Sequence, residues 1–134
     1  PVAAQLSLGL KPERLGRRVQ IRPSGKEFID IDPRPEGKLL GKVIYVDHFG
    51  NLITNLRAIP KMTPRGRKVR VKIRNRSIHG LSHSYADGYP NSLVALVNSS
   101  GLVEIGLRNG NAARFLKASA RDKVAIEFAH EAKR

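Results

Sequence analysis

After Gly37 the apolar and polar positions recur with the period of strands rather than helices. Leu39 to Val46 is an apolar, β-branched run that turns at His48-Phe49-Gly50-Asn51. The chain then leaves as an alternating segment, with Leu52, Thr54 and Leu56 on one face and Ile53 and Asn55 on the other. Val69, Val71 and Ile73 alternate with Arg70, Lys72 and Arg74, and Ser77 to Leu81 reads as a further short strand. Leu93 to Val97 is continuously apolar, Val103, Ile105 and Leu107 alternate, and Val124, Ile126 and Phe128 end the series. Arg57 to Arg67, with Pro60, Pro64 and Gly66, reads as loop, and so does the turn-rich stretch His83 to Asn91. Asn111 is placed to cap a short helix over Ala112 to Leu116. About seven short strands separated by Gly- and Pro-marked turns predict a mainly β fold, a small antiparallel barrel.

Before Gly37 the pattern changes. Pro1 to Gly9 reads as a short helix, with proline in its first turn and glycine as its stop. Lys11 to Gly16 reads as a second helical turn, and Arg17 to Gly37, with Pro23, Pro33 and Pro35, has linker composition. A helix of that size cannot bury its apolar side alone. The expected division is therefore 1-36 as the end of an N-terminal domain plus a linker, and 37-134 as a C-terminal β-barrel domain.

Composition narrows the chemistry. The 134 residues contain no cysteine, which excludes disulfides, thiolate metal sites and a Cys nucleophile. No apolar stretch approaches the ~20 residues of a membrane span, so no membrane partner is expected and the cytoplasm is the default compartment. The net charge of +14 is concentrated between Lys61 and Arg76, where no acidic residue occurs. That is the footprint of a basic nucleic-acid-binding barrel. The same residues also form an amphipathic strand with a basic wet face, and no aromatics interleave as a stacking platform. Nucleic acid is thus kept only as the alternative.

Three stretches carry candidate chemistry. In Asp47-His48-Phe49-Gly50-Asn51 a carboxylate, a ring and a carboxamide meet between two strands, able to hold an ammonium, cover a flat ring and read a donor–acceptor edge. A tight hairpin whose Asp and Asn satisfy their own backbone explains the same residues, and spacing alone favours it. Asn98-Ser99-Ser100-Gly101 offers hydroxyls and backbone N–H groups as an anion nest, or simply a turn. Leu107-Arg108-Asn109-Gly110-Asn111 enters a helix N-terminus. His48, His79, His83 and His130 lack metal-ligand spacing, so no metal site is expected. Neither a Ser-His-Asp arrangement nor a phosphate-binding glycine loop is present, and the residues by themselves name no reaction.

The run from Gly41 to Asn55, followed by Asn98 to Ile105 and Gly110 to Ala113, resembles the C-terminal domain of the S-adenosyl-L-methionine (SAM) hydroxide adenosyltransferases, relatives of the SAM-dependent chlorinases and fluorinases. Pro1 to Gly9 is similar to the last helix of that family's N-terminal domain. The resemblance implies a small antiparallel barrel and hydrolysis of SAM to adenosine and L-methionine by attack of water, as hydroxide, at C5′. It also implies that SAM lies between the N-terminal α/β domain of one subunit and this domain of its neighbour in a homotrimer. SAM would be the substrate, with no cofactor, and the catalytic residues would belong to the N-terminal domain, leaving this chain inactive alone. Carried over by motif, Asp47 would meet the methionine ammonium, Phe49 pack on the adenine, and Asn51 bond its edge. Ser99 and Ser100 would hold the methionine head group, Leu107, Arg108 and Asn109 would offer backbone groups to adenine, and Tyr85 would form a second aromatic wall. His48 stands where Arg is common and is expected to point away, Leu102 where an aromatic is frequent, and Arg108 near a position often Asn. A halide in place of water is the alternative within the family.

Overall fold

The computed structural model describes residues 1–20, 32–34, 38–58 and 69–128. Eight strands form one sheet: β1 (Asp32–Arg34), β2 (Lys38–Val46), β3 (Leu52–Arg57), β4 (Val69–Ile73), β5 (Arg76–His79), β6 (Leu93–Val97), β7 (Leu102–Leu107) and β8 (Lys123–Phe128). Seven run in the antiparallel order β5-β4-β8-β2-β3-β7-β6, and β1 adds to β2 off this path. A parallel bridge between Ser82 and Leu96, with Ser82 N–H donating to the Ala95 carbonyl at 2.7 Å, joins the two outer strands and nearly closes the barrel. Closure hides the strand edges that an open sheet would offer to other chains.

The alternation read from the sequence is the alternation observed. Val69, Val71 and Ile73 of β4 are buried while Arg70 is exposed, and Val124 and Ile126 of β8 meet them in register from the next strand. With Val43, Leu52, Leu56, Val103 and Ile105 these side chains fill the barrel interior. Lys72 on the outward face of β4 pairs with Glu127 at 2.9 Å, and Arg74 in the turn that follows pairs with Asp122 at 2.9 Å. The rest of the basic run, 61–68, lies outside the described residues, as do most of the 57–67 loop, the bulk of the 17–37 linker, and His130.

Two departures are informative. The linker contains β1, which pairs antiparallel with Lys38–Leu40, an edge position where the missing N–H of Pro33 does no harm. And β3 does not alternate to its end, because Asn55 is as buried as Thr54 and Leu56. The cause is a double irregularity. Register slips between Val43 and Tyr45 against β2, and between Ile53 and Arg57 against β7. Where the backbone ladder fails, side chains replace it. Thr54 Oγ1 donates to the Val103 carbonyl at 2.7 Å on the β7 side, and Asn55 Oδ1 accepts the Lys42 N–H at 2.8 Å on the β2 side.

This frees the nine-residue β2 to bend from one partner to another, with Lys38–Lys42 on β8 and Val43–Val46 on β3. Gly41 sits at the bend, where a Cβ would stand 2.4 Å from Asn55 Oδ1 and 2.6 Å from Leu56 Cγ.

Two short helices complete the chain. Asn111 accepts the Arg114 N–H at 2.8 Å and so caps α2 (Ala112–Leu116), which seats Ala112 and Leu116 in the core. In contrast, α1 (Val2–Ser7) and the 3₁₀ turn at Pro12–Arg14 bury nothing, and Leu8 is 87% exposed. No helix among the described residues is long and apolar enough to cross a membrane. Asn55→Ala, which takes the acceptor from the part-buried Lys42 N–H and empties a buried position, is expected to lower stability by about 1–3 kcal/mol. Gly41→Val, which overfills the bend, should lower it by about 1–3 kcal/mol as well. Urea unfolding of the two variants beside the parent chain measures both.

Candidate functional site

The β2–β3 hairpin is built by its own aspartate. Asp47 Oδ1 accepts the backbone N–H groups of Phe49 at 2.9 Å and Asn51 at 2.8 Å, while Oδ2 accepts the Asn51 carboxamide N–H at 2.9 Å. The backbone closes the same turn, Gly50 N–H to the Asp47 carbonyl and Asp47 N–H to the Asn51 carbonyl, both at 3.0 Å. Burial works against ionisation of Asp47, but the Asn51 backbone and side-chain bonds and the Phe49 N–H outweigh it, so its carboxyl lies below the ordinary 3.8. Gly50 has φ +90, and a Cβ there would fall 2.1 Å from the Asn111 side chain. Its carbonyl accepts the Ala113 N–H at 2.9 Å, which docks the start of α2 on the hairpin.

Bracing the turn leaves Phe49 outside it, 65% exposed. The His48 ring lies 3.7 Å from the Phe49 ring, tilted by 42°. Phe49, Asn51, Tyr85, Leu107, Arg108 and Asn109, but not His48, line one open cleft of about 510 Å³. Six of the nine candidate residues are thus brought to one concavity, and a seventh, Asp47, is bonded to Asn51. Ser99 and Ser100 are exposed on the β6–β7 turn, at the opposite end of β7 from Leu107, and are not part of that lining. A larger depression of about 830 Å³ on the outer faces of β2, β8 and β4, with Lys42, Lys72, Arg74 and Lys123 around it, contains none of the candidate residues.

Tyr85 starts a 3₁₀ turn (Tyr85–Asp87) that a reciprocal capping box between Ser84 and Asp87 closes. Asp87 Oδ2 accepts the N–H groups of His83 at 2.7 Å and Ser84 at 3.0 Å, which holds its carboxyl below the ordinary 3.8. Arg108 clamps the same turn: its guanidinium donates to the carbonyls of Ala86 at 2.9 Å and of Gly88. Its main chain is committed too, N–H to the Ser92 carbonyl and C=O from the Asn91 N–H, each at 3.0 Å. Arg108 therefore shapes the cleft wall.

Periodicity hides one residue. Glu104 occupies the polar phase of β7, yet it is buried, because the Tyr85 turn covers that face. Its two oxygens accept the Tyr85 hydroxyl and, at 3.2 Å, the Asn98 carboxamide.

The site is thus an open cleft on a nearly closed antiparallel barrel, lined by two aromatic rings and a carboxamide bonded to a braced carboxylate. The chain belongs to the SAM hydroxide adenosyltransferase C-terminal domain family, which it matches over residues 41–125. It is 34% identical over 112 residues to the (R)-S-adenosyl-L-methionine hydrolase of Thermus thermophilus, covering 84% of this chain and 40% of that protein. It is 28% identical over 130 residues to the protein of the same name from Salinispora arenicola, covering 94% of this chain and 47% of that protein. It thus spans less than half the length of these curated relatives. A crystal structure of an uncharacterized conserved protein from Thermotoga maritima superposes with a TM-score of 0.61 at 27% identity, covering 94% of this chain and 49% of that one.

Asp47→Ala is expected to cost about 1–2 kcal/mol of stability, charge-assisted bonds discounted for partial exposure. Because the native carboxyl titrates below 3.8, its contribution is present above that value and is lost as the pH falls through the depressed native value. Unfolding free energies of the parent and of Asp47→Asn across the acid range should converge at the low-pH end.

Proposed function

We propose that this domain forms one wall of a SAM site in a cytoplasmic enzyme that hydrolyses SAM to adenosine and L-methionine through attack of water, as hydroxide, at C5′. The observation that carries the proposal is the cleft in which the exposed Phe49 and Tyr85 rings flank Asn51, itself bonded to Asp47. A purine needs a ring to lie on and a polar edge to read it, and here both occur within one turn. With its N–H given to Asp47, Asn51 presents Oδ1, an acceptor suited to the exocyclic amine of adenine. Asp47 Oδ2 has one protein donor and retains acceptor capacity for the methionine ammonium. In this reading Phe49 packs on the adenine, Tyr85 is the opposite wall, and Leu107 and Asn109 offer backbone groups to the purine. Ser99 and Ser100 help hold the methionine head group.

The domain supplies grip and not the nucleophile. The sulfonium is already a good leaving group, so the enzyme's work is to align a desolvated water with C5′ while both ends of the substrate are held. We assign water activation to an α/β N-terminal half, with SAM between that half of one subunit and this domain of its neighbour in a homotrimer, and no cofactor. Support comes from the share of the curated relatives this chain spans and from α1, whose apolar side chains Val2 and Leu6 have no cover here. The relatives' names favour water over a halide.

Adenosine release from SAM, followed chromatographically, is the direct test. The complete protein carrying this domain should turn over, and residues 1–134 alone should not. Turnover by this chain alone would overturn the assignment of catalysis to another domain. In the complete protein Asp47→Asn should weaken SAM binding by roughly ten- to a hundredfold, the worth of one charge-assisted bond. A lowered melting temperature with unchanged SAM affinity would return Asp47 to bracing alone.

A further inference from the structure

Glu104 is the buried charged side chain among the described residues, 8% exposed in the middle of β7 between Ile53 of β3 and Leu96 of β6. A carboxylate withdrawn from water needs partners for its oxygens, and the partners found here come from two different loops. The Tyr85 hydroxyl donates to Oε1 from the turn that walls the cleft. The Asn98 carboxamide donates to Oε2 from the turn that carries Ser99 and Ser100. Asn98 in turn spends its Oδ1 on the N–H groups of Ser100 at 3.0 Å and Leu102 at 3.1 Å, which sets the shape of that turn. On the other arm the Tyr85 ring lies on Gly106, where a Cβ would be 2.4 Å from Cε1 and 3.0 Å from Asn51 Oδ1. One carboxylate thus joins a cleft wall to a hydroxyl-bearing turn.

We infer that Glu104 is a positioning residue that couples the two ends of the ligand site, holding the Tyr85 wall and the Ser99–Ser100 turn at one fixed separation through its two oxygens. The inference rests on the SAM reading above. Burial, then the bond to Glu104 and its charge, then the charge of Asp47, push the Tyr85 hydroxyl far above its ordinary 10.0, so the phenol remains a donor to Glu104 at any working pH. A ligand that engages both ends meets two walls already spaced for it, and the ordering cost of setting them is removed from binding.

The test is calorimetric titration of the complete protein with adenosine, L-methionine and SAM in turn. Tyr85→Phe should weaken adenosine and leave L-methionine unchanged, and Asn98→Ala should do the reverse. Glu104→Ala should weaken both fragments and reduce SAM affinity by at least about tenfold, the loss of one hydrogen bond to a charged group. Glu104→Gln should restore most of it, since its oxygen can accept from Asn98 while its amide donates to the Tyr85 oxygen. A role in barrel stability alone would lower the melting temperature in all four variants without dividing the two fragments. Glu104→Ala binding both fragments as the parent does, or losing only one, overturns the coupling while the SAM reading stands. A parent protein that binds none of the three ligands overturns the reading and the coupling together. If Glu104→Ala does not fold, the double variant of Tyr85→Phe with Asn98→Ala decides. Their effects on SAM affinity should fail to add, because both act through Glu104, and simple additivity overturns the proposal.

Discussion

The structure depends on β3 being able to leave its neighbours without leaving backbone groups unpaired. Thr54 and Asn55 make this possible by lending side-chain oxygens to the strands on either side, one to the Val103 carbonyl and one to the Lys42 N–H. A seven-stranded barrel this small must turn corners, and a corner normally breaks ladder bonds in the driest part of the molecule. Here the two polar side chains are buried and bonded, so the break carries little penalty. Gly41 then lets β2 pass from β8 to β3 against Asn55, and the end of β2 arrives where the hairpin can present Phe49 outward.

The aspartate of that hairpin shows why a structural and a binding role need not compete. Both of its oxygens are used locally, as a turn-forming Asp should use them, and the Asn51 carboxamide is fixed as a result. Fixing Asn51 is what a recognition site needs, since a carboxamide with one end tied presents its other end in a known sense. Gly50 serves both roles as well: its left-handed backbone closes the turn, and its missing side chain leaves room for Asn111 to cap α2. The spacing of Asp47, Gly50 and Asn51 is legible as a hairpin or as a site because it is the same geometry in either case.

What the sequence conveyed follows from which forces act locally. Strands β4, β6, β7 and β8, the cap at Asn111 and the mainly β class follow from periodicity and capping chemistry, which depend on neighbours in the chain. Glu104 was invisible to that reading because its burial is caused by Tyr85, nineteen positions away. Arg108 was read through its backbone, whereas its guanidinium proves to hold the turn at Ala86 and Gly88, a contact no spacing rule encodes. Strict alternation puts Asn55 on the face opposite Leu52, Thr54 and Leu56, and the double irregularity of β3 buries it with them. Each miss is a long-range contact overriding a local pattern. The three-residue strand β1 was lost in linker composition for the related reason that an edge strand needs little propensity when its partner is already ordered.

Net charge raises a last physical question, because a chain of +14 is a poor host for a cationic sulfonium if charge is counted globally. Counted locally, several of the cations are already paired. Lys38 of β2 and Lys72 of β4 share Glu127 of β8, and Arg74 is paired with Asp122 in the adjoining turns. At physiological ionic strength exposed charges are screened beyond roughly 8 Å, so such a surface exerts little force on a ligand held in the cleft. The arginine that does line the cleft, Arg108, spends its guanidinium on two carbonyls of the wall. Asp47 stands beside the cleft, bonded to Asn51, and Glu104 lies behind the Tyr85 wall, so the carboxylates nearest the cleft face it from the side of the hairpin and of β7. The same accounting weakens the polyanion alternative. A phosphate backbone would have to compete with Glu127 and Asp122 for the cations they already pair, and no aromatic interleaves with the basic residues between Lys61 and Arg76 as a stacking platform.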